Sequence, residues 1–194
     1  MTSVRLLQVE EPEERARWRA GRMAGSTWIR RDGRADSVQW LDLPGEQELD
    51  LAWVERQYFA WVPRLAGQVV HPLYLDDGRL ELAPRPLDWP RLIRMAPAVH
   101  EQDAEHRRRI RPIRGGFLAK PGGSLEFELL RRPAGRRLVV AVRALSMRLP
   151  LGLYQGVQTP MHERSTFAFL REVNRRYVAR TLGLVAPEQP DGTA

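Results

Sequence analysis

The stretch Ser124 to Leu130 (S-L-E-F-E-L-L) constrains this chain more than any other. Leu125, Phe127 and Leu129 alternate with Ser124, Glu126 and Glu128, the period of two that a half-buried strand demands. Turn residues flank it. Lys120-Pro121-Gly122-Gly123 before it and Arg132-Pro133-Ala134-Gly135 after it supply a fixed φ and then positive φ, so Ile113 to Ala119 and Leu138 to Met147 are expected to pair with it antiparallel. The valine-rich Leu138 to Met147 reads as a central strand.

Closing the hairpins at Ala119–Ser124 and Leu130–Arg137 puts Leu125, Phe127 and Leu129 on one core face with Gly116, Leu118, Leu138, Val140 and Val142. Glu126 and Glu128 then share the other face with Val139, Ala141 and Arg143. The same register turns Arg114 inward beside Leu129, where a buried charge needs a partner or a ligand. A bulge at Gly115-Gly116 is the alternative, and it sends Arg114 to solvent.

After Leu149-Pro150 the pattern becomes helical from about Leu153, with Phe167, Leu170, Val173, Tyr177 and Thr181 as the apolar stripe. Thr159-Pro160 is either an N-cap with proline at the first helical position or a kink in a helix begun at Leu151. Arg171, Arg175, Arg176 and Arg180 lie off the stripe, Glu172 pairs with Arg176, and Gly183 is the expected stop.

Upstream, Glu10 to Met23 is a charged lead-in, a surface helix or partly disordered. Thr27 to Arg31 and Ser37 to Leu43 form a hairpin around Arg31-Asp32-Gly33-Arg34, with the buried face of the second strand undecided. Asp50 caps a helix whose stripe is Leu51, Val54, Tyr58, Trp61 and Leu65, with Pro63 in its last turn. Trp53, Phe59 and Trp61 suggest a ligand box, but aromatics at this spacing more commonly form core. Asp76-Asp77-Gly78-Arg79 is a hairpin turn rather than a carboxylate pair. Pro84 to Pro97 holds at most a short strand at Arg91 to Met95, and His100 to Arg109 reads as a loop or an exposed strand end.

With 194 residues, one domain over 26–183 is expected, preceded by the lead-in 1–25 and followed by a disordered tail at 184–194. The chain has no cysteine, and His71, His100, His106 and His162 show no metal-ligand spacing, so neither a metal nor a cofactor is expected. No signal-peptide core and no apolar run long enough to span a bilayer is present, so a cytoplasmic protein without a membrane span is expected. The formal net charge is +7 and the pI is near 10.8, which raises nucleic acid as a partner. Lys120 is the only lysine, and the arginines are dispersed among acids, which disfavours that reading. His106-Arg107-Arg108-Arg109 is the best local candidate for phosphate contact, with Glu101, Asp103 and Glu105 opposing its field.

The order of elements, with I-R-G-G-F-L-A, G-G-S-L-E-F-E-L and R-L-P-L-G-L-Y-Q-G-V-Q-T-P-M-H before the final helix, resembles the START-like helix-grip superfamily, also called SRPBCC. That resemblance covers about the last two-thirds of the chain. It implies an α+β fold, a curved antiparallel sheet gripping a long C-terminal helix, with a cavity for a small apolar ligand between them. Arg114, Phe127, Val140, Tyr154, Gln158 and His162 are the candidate lining residues, with Arg114 or His162 fixing a polar end of the ligand. A cyclase- or dehydratase-like enzyme using His162 or Tyr154 in the same cavity is the alternative, and an arginine-mediated interaction module is a third reading. No catalytic residue is assigned.

Overall fold

The computed structural model describes residues 22–44, 48–65, 67–133, 135–148 and 159–181. The strands are β1 (Met23–Ile29), β2 (Ala35–Pro44), β3 (Val70–Tyr74), β4 (Leu80–Pro84), β5 (Ile93–Met95), β6 (Val99–Gln102), β7 (His106–Gly115), β8 (Ser124–Arg132) and β9 (Gly135–Leu145). Among the described residues two helices join them, α1 (Leu51–Leu65) and α2 (Thr159–Thr181). The fold is α+β. Its sheet runs in the order β1-β2-β9-β8-β7-β5-β4-β3, with β6 also pairing β7, and each pairing is antiparallel.

Short-range chemistry explains the turns. Asp32 and Asp77 each accept the backbone N–H two residues on, from Arg34 and Arg79, at 3.1 Å, which closes the β1–β2 and β3–β4 hairpins with Gly33 and Gly78 at positive φ. Asp50 accepts the N–H groups of Ala52 at 2.8 Å and Trp53 at 3.1 Å, so it caps α1 as expected. Gly123 is required by geometry: its φ is +77° and a Cβ there would lie 2.4 Å from the Arg143 carbonyl oxygen.

The β8–β9 register pairs Leu125 with Val142, Phe127 with Val140 and Leu129 with Leu138, as the alternation requires. The β7 side departs from expectation. Leu129 faces Arg107, Phe127 faces Arg109 and Leu125 faces Arg111, so the partner strand is His106–Gly115 and the hairpin closes near Pro112 and Ser124. Arg114 is exposed. Met95 pairs Ile113 while Arg94 pairs Gly115, leaving Arg114 as the extra residue of a bulge; of the two placements the sequence allowed, the exposed one is present and the inward one beside Leu129 is not. Sequence alternation missed β7 because its core-facing positions are arginines.

Both helices lie on one face of the sheet. There Leu41 and Leu43 of β2 join Leu125, Phe127, Leu129, Leu138, Val140, Val54, Tyr58, Phe169, Leu170, Val173 and Tyr177 in one buried cluster. Tyr58 is the hub, with its ring edge-on to Phe127 at 5.5 Å, to Phe169 at 5.3 Å and to Phe59 at 5.4 Å. The opposite face buries a smaller cluster of Val38, Trp40, Val139 and Ala141. Both faces of β2 are thus buried, which is why its sequence gave no preference. On that second face Arg137 donates to Asp42 at 2.7 and 3.1 Å and stacks 3.7 Å over Trp40.

The described part of α2 begins at Thr159, with Pro160 in its first turn. Its buried stripe is Thr166, Phe169, Leu170, Val173 and Tyr177, with Phe167 only partly buried; Phe169 replaces Phe167 as the aromatic that meets the core. Met23 to Gly25 belong to β1, so the sheet takes in the end of the expected lead-in. Residues 1–21, Leu149 to Gln158, Gly183 and the tail 184–194 lie outside the described residues.

Deleting the ring at Phe127, fully buried and in contact with Tyr58, is expected to cost about 3–5 kcal/mol as Phe127→Ala in urea unfolding. Asp50→Ala removes only a helix cap and is expected to cost about 1 kcal/mol in the same measurement.

Candidate functional site

Helix α1 uses two faces. Leu51, Val54, Glu55, Tyr58 and Phe59 turn to the sheet and are buried. The neighbouring face, Trp53, Gln57, Ala60, Trp61 and Arg64, recurs at steps of three and four and looks across to Phe169, Glu172, Val173 and Arg176 of α2. Between them lies a shallow groove of about 40 Å³, open to solvent; it is well below the roughly 300 Å³ at which enclosed small-molecule pockets begin, so it can seat one edge of a ligand but not engulf it.

Its walls are indole, phenyl and isopropyl groups, and its rim is charged. Trp61 buries its indole N–H without a hydrogen-bond partner, and the Arg64 guanidinium sits 5.2 Å from the Trp61 ring centre. Arg176 donates to Glu172 at 2.8 Å and to Gln57 at 3.0 Å, so it ties the helices together across the cleft. Glu172 also receives Arg175 at 2.9 and 2.7 Å. These hydrogen bonds, from Arg175 first and then Arg176, pull the Glu172 carboxyl down to about 2. At neutral pH it is an anion with little capacity to take or give a proton.

A second cluster joins α1 to the sheet. The Glu55 carboxylate is buried and accepts from Arg111 Nε at 2.6 Å and from Arg109 Nε. Arg111 is itself buried and donates to the carbonyls of Gly78 at 2.9 Å and Ala96 at 3.1 Å. Two guanidinium groups therefore share one carboxylate inside the fold, and Arg109 extends to His100. Sequence reasoning missed this cluster. Its only signal is that Glu55 falls beside Leu51 and Tyr58 on the apolar stripe of α1.

Of the residues singled out in the sequence, Phe127 and Val140 meet as a cross-strand pair in the close-packed core. Arg114 stands apart, exposed beyond the β7–β8 pairing. Tyr154 and Gln158 lie outside the described residues, as does the side chain of His162 within α2. Phe59 is core, and Trp53 and Trp61 are partly buried, packing against the core cluster while also walling the groove.

The arginine run is neutralised internally. Arg107 reaches Glu48 at 3.5 Å, Arg108 bonds Glu101 at 2.9 Å and Glu126 at 2.7 Å, and Arg109 bonds Glu55. Burial would raise the Glu126 carboxyl, but hydrogen bonds from Ser124 and Arg108 outweigh it and hold the group below its ordinary value. Phosphate contact at Arg107 to Arg109 would have to break these pairs. Among the described residues no cluster of three or more His, Asp or Glu side chains could hold a metal ion, and no helix is long and apolar enough to cross a membrane. No protein-family model, curated protein or solved structure matches the chain.

Glu55→Gln leaves two largely buried guanidinium groups without their anion, and a loss of about 3–5 kcal/mol is expected in denaturant unfolding. For Glu172, whose folded pKa of about 2 lies below the ordinary 4.5, the stabilisation is complete above pH 4.5 and fades as pH falls toward 2. Thermal melts of wild type and Glu172→Gln should therefore differ at neutral pH and converge in acid; a constant difference across that window contradicts the assignment.

Proposed function

We propose that the protein binds a small apolar or amphipathic ligand in the cleft between α1 and α2, without a catalytic step. The observation that supports this most is the pair of indoles, Trp53 and Trp61, that wall the groove beside the charged Arg64 and Arg176. Trp53, Phe169 and Val173 cover the apolar body of such a molecule. Arg64 faces its acidic end.

This reading keeps the ligand class that the helix-grip resemblance implies and moves the site. A curved sheet gripping the C-terminal helix would leave room near Phe127 and Val140, but those two side chains are fully buried against neighbours. The space between the helices is where an apolar wall meets solvent.

The test is thermal unfolding with a panel of medium-chain fatty acids, aromatic carboxylic acids and the matching alcohols. At a ligand concentration one hundred times Kd, linkage adds about 2.7 kcal/mol of stability, so a binding acid should raise Tm by several degrees and its alcohol by less. Ala60→Trp fills the cleft from an exposed helical position and should abolish the shift while the protein still unfolds cooperatively. No shift with any compound, or an undiminished shift in Ala60→Trp, overturns the proposal.

A further inference from the structure

The described surface carries six large exposed apolar side chains, and four of them, Val69, Leu87, Trp89 and Phe117, collect at one end of the sheet. The topology forces this grouping. Val69 precedes β3 and its carbonyl accepts the Arg85 N–H at 2.9 Å, just beyond β4. The connection from β4 to β5 carries Leu87 and Trp89, and the connection leaving β7 carries Phe117, whose N–H donates to the Arg91 carbonyl at 2.8 Å. Leu87 and Trp89 are 77% and 74% exposed and Phe117 is 61% exposed, values far from those of a side chain packed on its own protein.

The connection that carries them is held in place. Asp88, between Leu87 and Trp89, pairs with His71 Nε2 of β3 at 2.7 Å, and its carbonyl accepts Arg91. Arg91 in turn reaches Glu81 of β4 at 2.8 Å. Gly116 lets the β7 connection close on this segment, because a Cβ there would lie 2.4 Å from the Leu92 carbonyl oxygen. Leu87, Trp89 and Phe117 are thus displayed by a tethered scaffold.

Cations outnumber acids around the apolar group. Arg85, Arg94, Arg114 and Lys120 are exposed around it, and among the described residues none of the four is in an ion pair, in contrast to Arg107, Arg108, Arg109 and Arg111 on the same sheet. The two acids of this end, Asp88 and Glu81, are engaged by His71 and Arg91. Isolated exposed apolar residues are ordinary, but a group of them rimmed by unpaired cations matches an interface with anionic headgroups above acyl chains.

We propose that this end of the sheet docks peripherally on an anionic lipid surface, with Leu87, Trp89 and Phe117 entering the headgroup boundary and Arg85, Arg94, Arg114 and Lys120 facing the lipid charges. The surface shares no residue with the cleft between the helices. Docking therefore stands or falls separately from ligand binding.

Co-sedimentation of the full chain with large vesicles tests it, using phosphatidylcholine alone and a three-to-one mixture with phosphatidylglycerol. Binding is expected to the mixture only and to weaken with added salt, since each basic residue near such a surface contributes about 1 kcal/mol, roughly fivefold in affinity. Leu87→Ser with Phe117→Ser should reduce binding at least tenfold, as should Arg85→Gln with Arg114→Gln. Both pairs are exposed, so unchanged Tm verifies the fold. A blue shift of tryptophan emission on vesicle addition should disappear in Trp89→Phe, while Ala60→Trp should retain vesicle binding. Absence of binding at low salt, equal binding to neutral vesicles, undiminished binding in either double variant, or preferential binding of polyuridylate over vesicles overturns the proposal.

Discussion

Tyr58 is where the three layers of contact meet. Its ring touches Phe127 from the sheet, Phe169 from α2 and Phe59 from its own helix, each edge-on. Aromatic rings bury large areas and hold fixed relative angles, so this junction sets how far apart the two helices stand above β8. Burial also pushes the Tyr58 phenol up to about 12, which keeps it neutral through the physiological range. The space left on the solvent side of that junction is the tryptophan-walled cleft. Its existence follows from the packing of rings beneath it, since α1 and α2 cannot close further without driving Phe169 into Tyr58.

Charge is organised by the same geometry. Strand β7 carries Arg107, Arg109 and Arg111 on the side of Leu125, Phe127 and Leu129, and a lone buried guanidinium is strongly disfavoured. Glu55, placed on the buried face of α1 beside Tyr58, supplies the anion for two of them. On the other face Glu126 and Glu128 receive Arg108, Arg143 and His106. The sheet thus absorbs much of the basic character of the chain, and a +7 net charge does not translate into a phosphate-binding stripe at the arginine run. Arg85, Arg94, Arg114 and Lys120, which have no ion-pair partner among the described residues, stand instead around the exposed apolar end.

Several elements were legible before any coordinates because their causes are local. The Asp-Gly turns, the Asp50 cap, the alternation of β8 and the Glu172–Arg176 pair each depend on residues a few positions apart, and each is present. Strand β7 was not legible. Its inward positions read as polar, and only a carboxylate more than fifty positions earlier makes them tolerable inside. The sequence left Arg114 either inward or sent to solvent by a bulge, because register depends on where a hairpin closes; the bulge against β5 decides for solvent. Phe167 and Phe169 are two steps apart on α2, and which of them meets Tyr58 depends on helix rotation against the sheet.

The amino-acid order by itself determined the class of fold, an antiparallel sheet with amphipathic helices, because hydrophobic period and turn chemistry act over short distances. Only the tertiary structure decided that Glu55 neutralises β7, that Trp53 and Trp61 wall a groove at the edge of the core, and that Leu87, Trp89 and Phe117 share one end of the sheet. Each of these joins residues from elements remote in sequence. Their proximity depends on strand order and helix placement, which pairwise packing across the whole domain selects.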